Sequence, residues 1–197
     1  MDTSMLDDAV AARAAPFRLS PGTLANFRSA LRERSLQKGE HLFREGDPGN
    51  ALYFVRKGLL RYYYLADGVE HTGQFFDEGK FVGDVFALTT GAPGLQNIDA
   101  LEPSEVLVIP TSTLMTSYEA DHAFERFGRR VMEEAMAGSQ ARTASLLKLS
   151  PEERYSRFVA MRPEVARRVP QYVVASYLGI TPEALSRIRR RRTSGAV

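Results

Sequence analysis

The chain has 197 residues, 44% of them hydrophobic and 25% charged, with a net charge of +2, so it can bury a core of ordinary size and is not a disordered chain. It contains no cysteine and only three histidines, which excludes disulfides, iron–sulfur clusters and thiolate zinc sites, and we predict neither a metal site nor a catalytic centre. No apolar run approaches the roughly 18 residues that span a bilayer, and the N-terminus has no signal-like apolar core, so we expect a cytoplasmic protein without a membrane partner.

The N-terminal part of the chain predicts a tail followed by a short helix. We expect residues 1–19 to form the tail. Ser20 and Pro21 then supply an N-cap and a first-turn proline. The apolar residues that follow at helical spacing are Leu24, Phe27 and Leu31. This pattern predicts a leading helix for a domain over residues 20–112.

Residues 36–110 have the composition of an antiparallel β structure. Short β-branched and aromatic runs alternate with glycine-containing turns at roughly 8–12-residue spacing, which is typical of a sandwich or roll. The run LRYYYLADGVEHTGQFF predicts a hairpin closed at Asp67 and Gly68, where the turn needs positive φ angles. We therefore predict an antiparallel β-sandwich or β-roll within residues 20–112.

A long helix is predicted over residues 113–149, where the chain has no proline and mostly good helix formers. A helix of this length extends beyond a compact roll, so part of its apolar stripe needs another partner. We expect that partner to be a second copy of the chain, because closed two-fold dimers are the commonest oligomers. The alternative is a long helix packed only on its own domain.

The C-terminal segment, residues 150–197, predicts a helix-turn-helix domain. Ser150, Pro151 and Glu153 form a capping-box pattern that starts a new helix. Pro170 is predicted in the first turn of a later helix that ends before Gly179. Gly179 supplies a sharp turn, after which a second helix is capped by Thr181 and has Pro182 at its first position. This spacing is typical of a helix-turn-helix, which inserts its second helix into the DNA major groove.

The charge of this segment favours contact with a polyanion. Residues 151–197 hold ten Arg and four Glu, a net +6, whereas the remaining chain has a net −4. Arginine pairs with guanine, glutamate accepts from cytosine, and further arginines suit phosphates. The predicted DNA-binding residues are Thr181, Glu183, Ser186, Arg187, Arg190, Arg191 and Arg192. The alternatives are a solvated charged end and a helical hairpin that binds a protein.

Residues 36–192 resemble the Crp/Fnr transcription regulators, with their elements in the family's order. The motifs that carry the resemblance are GEHLFREGD at 39–47, LYFVRKGLLRYY at 52–63 and FVGD at 81–84. The resemblance implies an α+β chain with an antiparallel, cyclic-nucleotide-binding-like β-roll of jelly-roll type, a dimerisation helix over 113–149 and a helix-turn-helix. It also implies a homodimer, a palindromic double-stranded DNA site and RNA polymerase as a further partner.

The chain departs from the family pattern at the roll and at the C-terminus. The family's phosphate-binding cassette begins with Gly-Glu and reaches an arginine, whereas residues 85–103 here contain none. A buried phosphate without a cation is costly, so we expect an unidentified small-molecule effector, or none, in place of a cyclic nucleotide. The candidate ligand residues are Gly83, Asp84, Val85, Gln96 and Asn97. Because the chain stops at TSGAV, the family's wing is predicted to be missing.

Three classes of function follow from these patterns. The first is a homodimeric, sequence-specific DNA-binding transcription regulator with a sensory roll. The second is a ligand-binding signalling module that acts on a protein partner without productive DNA binding. The third, a cupin-type enzyme, is disfavoured because His41 and His71 stand alone and the chain lacks a metal-ligand cluster.

Overall fold

Two four-stranded antiparallel sheets form the N-terminal domain of the structure, a computed structural model that describes residues 2–194. The strands are β1 (Arg32–Leu36), β2 (His41–Phe43), β3 (Ala51–Lys57), β4 (Leu60–Ala66), β5 (Val69–Phe76), β6 (Phe81–Val82), β7 (Asn97–Ala100) and β8 (Ser104–Pro110). The sheet orders are β1-β8-β3-β6 and β2-β7-β4-β5. Buried side chains of both sheets, including Leu36, Val55, Leu60 and Ile98, share one core cluster. The predicted antiparallel β-roll is confirmed.

Helices precede, interrupt and follow the roll. In the described part of the chain they are α1 (Ser4–Ala14), α2 (Pro21–Ser29), α3 (Val85–Thr90), α4 (Thr111–Ala120), α5 (His122–Lys148), α6 (Pro151–Met161), α7 (Pro163–Arg168), α8 (Gln171–Leu178) and α9 (Pro182–Ser194). Strand β3 is buried on both faces, because Leu52 and Phe54 pack against α1, α2, α4 and α5, whereas Tyr53 and Val55 pack in the core between the sheets. Helices and sheets therefore share two adjoining cores.

The β4–β5 hairpin closes at the predicted residues. Ala66 pairs with Val69, and the two residues between them, Asp67 and Gly68, have φ angles of 50° and 74°. Positive φ at both central positions is typical of the type I′ turns that match the twist of a hairpin. The predicted hairpin is confirmed.

The N-terminal residues differ from the predicted tail, since residues 4–14 form helix α1. Its buried side chains, Leu6, Val10 and Ala14, are four residues apart and pack in the cluster that contains Phe124 and Phe127 of α5. The sequence pattern did not predict this helix because alanines and charged residues surround a narrow apolar stripe. Tertiary packing on α5 supplies the stabilisation that the isolated segment lacks.

The predicted single helix over 113–149 is two helices, α4 and α5, separated at Asp121. Asp121 has extended backbone angles, and its carboxylate accepts hydrogen bonds from Ala123 N at 2.8 Å and Ser20 N at 2.7 Å. The break arises because Asp121 caps α5 better than it continues α4. Among the described residues of α5, Val131 is the last that is buried, so only the first third of this helix packs in the core beside the roll.

The helical domain α6–α9 has its own core and also packs on the roll. Phe158, Val173, Leu178 and Leu185 share a cluster that includes Phe75 of β5. The predicted capping box is confirmed, since Glu153 N donates to Ser150 Oγ at 3.3 Å and Ser150 N donates to Glu153 Oε2 at 2.8 Å. The predicted missing wing concerns the chain after α9, where residues 195–197 lie outside the described residues.

Candidate nucleic-acid interface and ligand cavity

The turn between α8 and α9 is built by glycine and threonine. Pro170 lies at the N-cap of α8, one position before the predicted first turn. Gly179 ends α8 in the left-handed region at φ 66°. The N–H of Ile180 donates to the Ala175 carbonyl at 3.1 Å, and the Thr181 hydroxyl accepts from Ala184 N at 3.3 Å. These contacts set where α9 starts and which of its faces points outward.

Helix α9 has one buried face and one exposed face. Leu185 and Ile188 are buried, at 1% and 4% exposure. The residues predicted to contact DNA, by contrast, are exposed: Thr181, Glu183, Ser186, Arg187, Arg190, Arg191 and Arg192. Glu183 and Arg187 lie four residues apart, which places them side by side on the helix. The structure thus brings the predicted base-contacting side chains onto one accessible surface.

Glu183 is positioned to act as an anionic acceptor. A hydrogen bond from its own backbone N–H, another from Thr181 and the nearby charge of Arg187 hold the pKa of the Glu183 carboxyl below its usual range. The group is therefore ionised at neutral pH, the state in which a carboxylate accepts from an amino group. A cytosine N4 amino group is one such donor.

Two of the predicted phosphate contacts also touch α6. Arg191 Nη1 lies 3.2 Å from Glu152 Oε1, and the Arg192 guanidinium carbon lies 5.6 Å from the centroid of the Tyr155 ring. The Arg191 side chain nevertheless keeps 71% exposure. An ion pair this exposed is weak, so a phosphate can compete for the same guanidinium. The sequence predicted the phosphate role but not this contact between helices.

Asp84, predicted as a ligand residue, is a buried helix cap. Its Oδ1 accepts from Ala87 N at 2.9 Å, and its Oδ2 accepts from Leu95 N at 2.8 Å and Gln96 N at 3.3 Å. Both carboxylate oxygens therefore bind the backbone of the loop that begins at Gly83. The carboxylate thus holds the loop together, although the residue also lies on the wall of a cavity.

The remaining predicted ligand residues divide into two groups. Gly83, Val85 and Gln96 line, with Asp84, a cavity of about 1150 Å³. Gln96 Nε2 donates to the Gly83 carbonyl at 3.2 Å. Asn97, in contrast, is buried and accepts a hydrogen bond from Glu45 N at 3.2 Å. The structure thus separates Asn97 from the four residues that it brings to the cavity.

The cavity lies where the roll, α5 and α7 meet. Its walls include residues that the sequence did not single out, among them Tyr62, Gln74, Phe76, Met132, Ser139 and Arg142. Arg142 lies far from the cassette along the chain, in a polar stretch of α5 without a motif. No sequence signal identified it, because its position depends on how α5 crosses the roll.

The histidines are spread over separate surroundings. His41 Nε2 lies 2.9 Å from the Tyr63 hydroxyl, and His122 Nδ1 lies 3.0 Å from a carboxylate oxygen of Glu125. Within residues 2–194, no group of three or more His, Asp or Glu side chains has the arrangement of a metal site. None of the helices within these residues is both long enough and apolar enough to cross a bilayer.

Comparison with known proteins gives three findings. Residues 33–121 match the cyclic nucleotide-binding domain. The chain is 29% identical over 189 residues to the fumarate and nitrate reduction regulatory protein of Vibrio cholerae, covering 89% of this chain and 75% of that protein. The structure is similar to FixK2 from Bradyrhizobium japonicum, with a TM-score of 0.76, 22% identity and coverage of 84% of this chain and 86% of that one.

A further solved structure shares the fold. It is the regulator CLP of Xanthomonas campestris, described as responsive to c-di-GMP, with a TM-score of 0.72 and 19% identity. The similarity covers 89% of this chain and 93% of that chain. It therefore includes both the roll and the helical domain.

Proposed function

The chain belongs to the Crp/Fnr family of transcription regulators, and from that premise we propose that it is a homodimeric, sequence-specific DNA-binding regulator. The proposal rests on the exposed polar face of helix α9. Leu185 and Ile188 anchor the helix in the core, while Glu183, Ser186 and Arg187 are exposed on its outer side. Because its target is genomic DNA, we expect the protein to act in the cytoplasm.

The chemistry of α9 matches the edges of G·C base pairs. The Arg187 guanidinium can donate two hydrogen bonds to guanine O6 and N7, and the Glu183 carboxylate can accept from cytosine N4. Ser186, one residue before Arg187, can donate or accept. Thr181 lies at the helix N-terminus, where backbone N–H groups favour a phosphate. The basic residues Arg190, Arg191 and Arg192 would contact the phosphate backbone, which strengthens binding without specifying sequence.

The second half of α5 supports the proposed homodimer. Met136, Gln140, Thr143 and Leu147 follow one another at three- and four-residue spacing and are all exposed. Leu147 and Met136 are 80% and 64% exposed, which is unusual for apolar residues in regular positions along one helix. Pairing this stripe, which we call the α5 stripe, with the same stripe of a second copy would bury it in a two-fold interface.

We further propose that the cavity between the roll, α5 and α7 holds a small-molecule effector. Its walls come from both domains, so a bound molecule can bias how the helical domain sits on the roll. The family's contact between cassette arginine and cyclic phosphate is not proposed, since residues 85–103 lack arginine. RNA polymerase remains a proposed partner of the DNA-bound dimer.

The test is selection of sites from a random duplex library by the purified protein, followed by sequencing, at several salt concentrations. We expect an enriched palindrome with G·C pairs in each half, and half-sites about one helical turn, roughly 34 Å, apart. Salt-dependent binding without an enriched sequence would contradict specific recognition. If the protein does not bind DNA even at low salt, the alternative of a signalling module with a protein partner replaces this proposal.

A further inference from the structure

Arg142 of α5 is a half-buried cation without a carboxylate partner. Its Nη2 donates to the Tyr177 carbonyl, and its guanidinium carbon lies 4.1 Å from the centroid of the Tyr177 ring. Its Nε is fully buried and has no hydrogen-bond partner among the described residues. No Asp or Glu within residues 2–194 forms an ion pair with it, and burial lowers the pKa of Arg142. One carbonyl and one aromatic ring therefore compensate the desolvation of this positive charge only in part.

Other arginines in comparable positions are neutralised. Arg61, Arg162 and Arg168 each have a carboxylate oxygen within 3.0 Å. Arg154 has carbonyl acceptors at the ends of two helices, since its Nε donates to Leu178 O at 2.9 Å and its Nη1 to Leu149 O at 2.6 Å. A helix C-terminus carries partial negative charge, so Arg154 is compensated as well. Arg142 also donates to a carbonyl in the last turn of a helix, Tyr177 O, but only through Nη2, and its Nε has no acceptor among the described residues, so its charge is compensated less completely.

Arg142 also lines the cavity of about 1150 Å³. Most of the other charged groups on its walls have local partners. Arg13 Nη2 lies 2.9 Å from Glu134 Oε2, Arg162 pairs with Asp77, and the oxygens of Asp84 accept backbone hydrogen bonds. Lys80 lines the cavity too but is exposed, so water solvates its ammonium. Among the described charged groups that line this space, Arg142 is thus the desolvated cation without a carboxylate partner.

We propose that Arg142 binds the oxyanion of a small organic acid, a carboxylate or a phosphate ester, whose apolar body occupies the cavity between β5 and α5. The proposal rests on the proposed function, because such a molecule would be the effector of the regulator. The cation that the roll's cassette lacks is supplied by the long helix. Once the side chain shifts toward the cavity, the bound oxyanion would accept from the guanidinium N–H groups, and charge-assisted hydrogen bonds of this kind are among the strong ones.

The surroundings of Arg142 suit the two parts of such a ligand. Phe75, Phe76 and Met132 line the cavity and provide apolar contact area. Tyr62 lines it as well, and burial raises the pKa of its hydroxyl to about 12, so the group is neutral and able to donate to an oxyanion. An apolar cavity with a few convergent polar donors is typical of sites for small organic ligands.

The same arginine touches the helix-turn-helix. The Tyr177 carbonyl that accepts from Arg142 belongs to the last turn of α8, two residues before Gly179. An oxyanion that draws the guanidinium toward the cavity would compete with this carbonyl. Occupancy of the cavity is therefore linked to the position of α8, on which α9 packs.

The first experiment compares a charged and a neutral fluorescent probe of similar shape, anilinonaphthalene sulfonate and phenylnaphthylamine. Arg142→Gln is compared with Arg129→Gln, a matched change at an exposed arginine of the same helix outside the cavity. We expect Arg142→Gln to raise the Kd of the sulfonate about ten- to hundredfold and to leave the Kd of the neutral probe within about twofold. Arg129→Gln should change neither. Equal effects on both probes, or none on the sulfonate, would overturn the proposal.

The second experiment uses the wild-type protein, so that it does not depend on the folding of a variant. Benzoate, phenyl phosphate and benzamide are tested for displacement of the sulfonate. We expect at least one of the two acids to displace the sulfonate probe at about tenfold lower concentration than benzamide. Whichever acid displaces the probe at the lower concentration identifies the oxyanion as a carboxylate or a phosphate. If benzamide displaces the probe as well as both acids do, the proposal is wrong. Both experiments omit DNA, so their failure is distinguishable from a failure of the proposed DNA binding.

Discussion

Arg187 and Arg192 lie on the same exposed helix but are expected to play different roles. Arg187 is one turn from Glu183 and is assigned to base edges, whereas Arg192 lies near the end of α9 beside Tyr155 and is assigned to phosphate. Arg187→Ala should reduce discrimination between bases at one base pair by about 1–3 kcal/mol. Arg192→Gln should weaken binding to all duplexes by a similar factor, and should reduce the magnitude of the slope of log K against log salt concentration by about 1. Fluorescence anisotropy with the selected site and its single-base variants measures both. A uniform loss from both changes would contradict the assigned roles.

His41 is expected to make stability depend on pH. Burial, followed by the charge of Arg44, lowers the pKa of His41 from its usual 6.5. The folded state therefore binds fewer protons than the unfolded state in this region, and stability is lost as pH falls from about 6.5 through the folded pKa. The urea concentration at the unfolding midpoint should fall between about pH 7.5 and about pH 5, and this fall should be larger for the wild type than for His41→Gln. Parallel curves for the two proteins would exclude this contribution.

At the level of elements, caps and turns were predictable from the sequence because their signals are local. The Ser150 capping box and the hairpin at Asp67 and Gly68 form as predicted, since each depends on residues within one turn. Helix α1 and the break at Asp121 were not predicted. The first depends on packing against α5, and the second combines the local cap that Asp121 makes with Ala123 N and a hydrogen bond from Ser20 N, 101 residues away.

Gly179 offers a test of the turn that orients α9. Its φ of 66° lies in the left-handed region, and an added Cβ would lie 3.4 Å from Leu146 Cδ2. Gly179→Ala should therefore lower the free energy of unfolding by about 1–2 kcal/mol. As a control, Gly22→Ala in α2, where an added Cβ would meet nothing within 4 Å, should raise it by about 0.5–1 kcal/mol. Chemical denaturation followed by circular dichroism measures both, and a neutral Gly179→Ala would show that the strained conformation is not required.

For the whole molecule, the α5 stripe predicts the oligomeric state. Met136→Glu and Leu147→Glu would each place a carboxylate where the proposed interface excludes water. We expect each change to raise the dimer dissociation constant at least about tenfold, measured by sedimentation velocity over a range of concentrations. Tyr172→Glu, at an exposed position of α8 outside the stripe, serves as the control. Unchanged sedimentation of both stripe variants would place the interface elsewhere.

The helical domain contacts the roll through charged and polar groups that are far apart along the chain. Arg168 of α7 bridges Glu78 and Glu102 of the roll, and the Ser176 hydroxyl of α8 donates to the Glu70 carbonyl at 2.6 Å. These contacts join residues that are 66 to 106 positions apart along the chain. Nothing in the sequence pattern of either partner indicates the other, so only the structure shows how the helical domain rests on the roll.

The sequence alone determined the α+β class, the roll, the caps of the helical domain and the exposed face of α9, because hydrophobic periodicity, turn chemistry and helix spacing act over a few residues. Tertiary structure alone decided that Asp84 is a cap, that Asn97 lies away from the cavity and that Arg142 lines it. The physical reason is that a side chain's partners depend on where distant elements cross. The charge left without a carboxylate at Arg142 becomes visible only after α5 is packed on the roll.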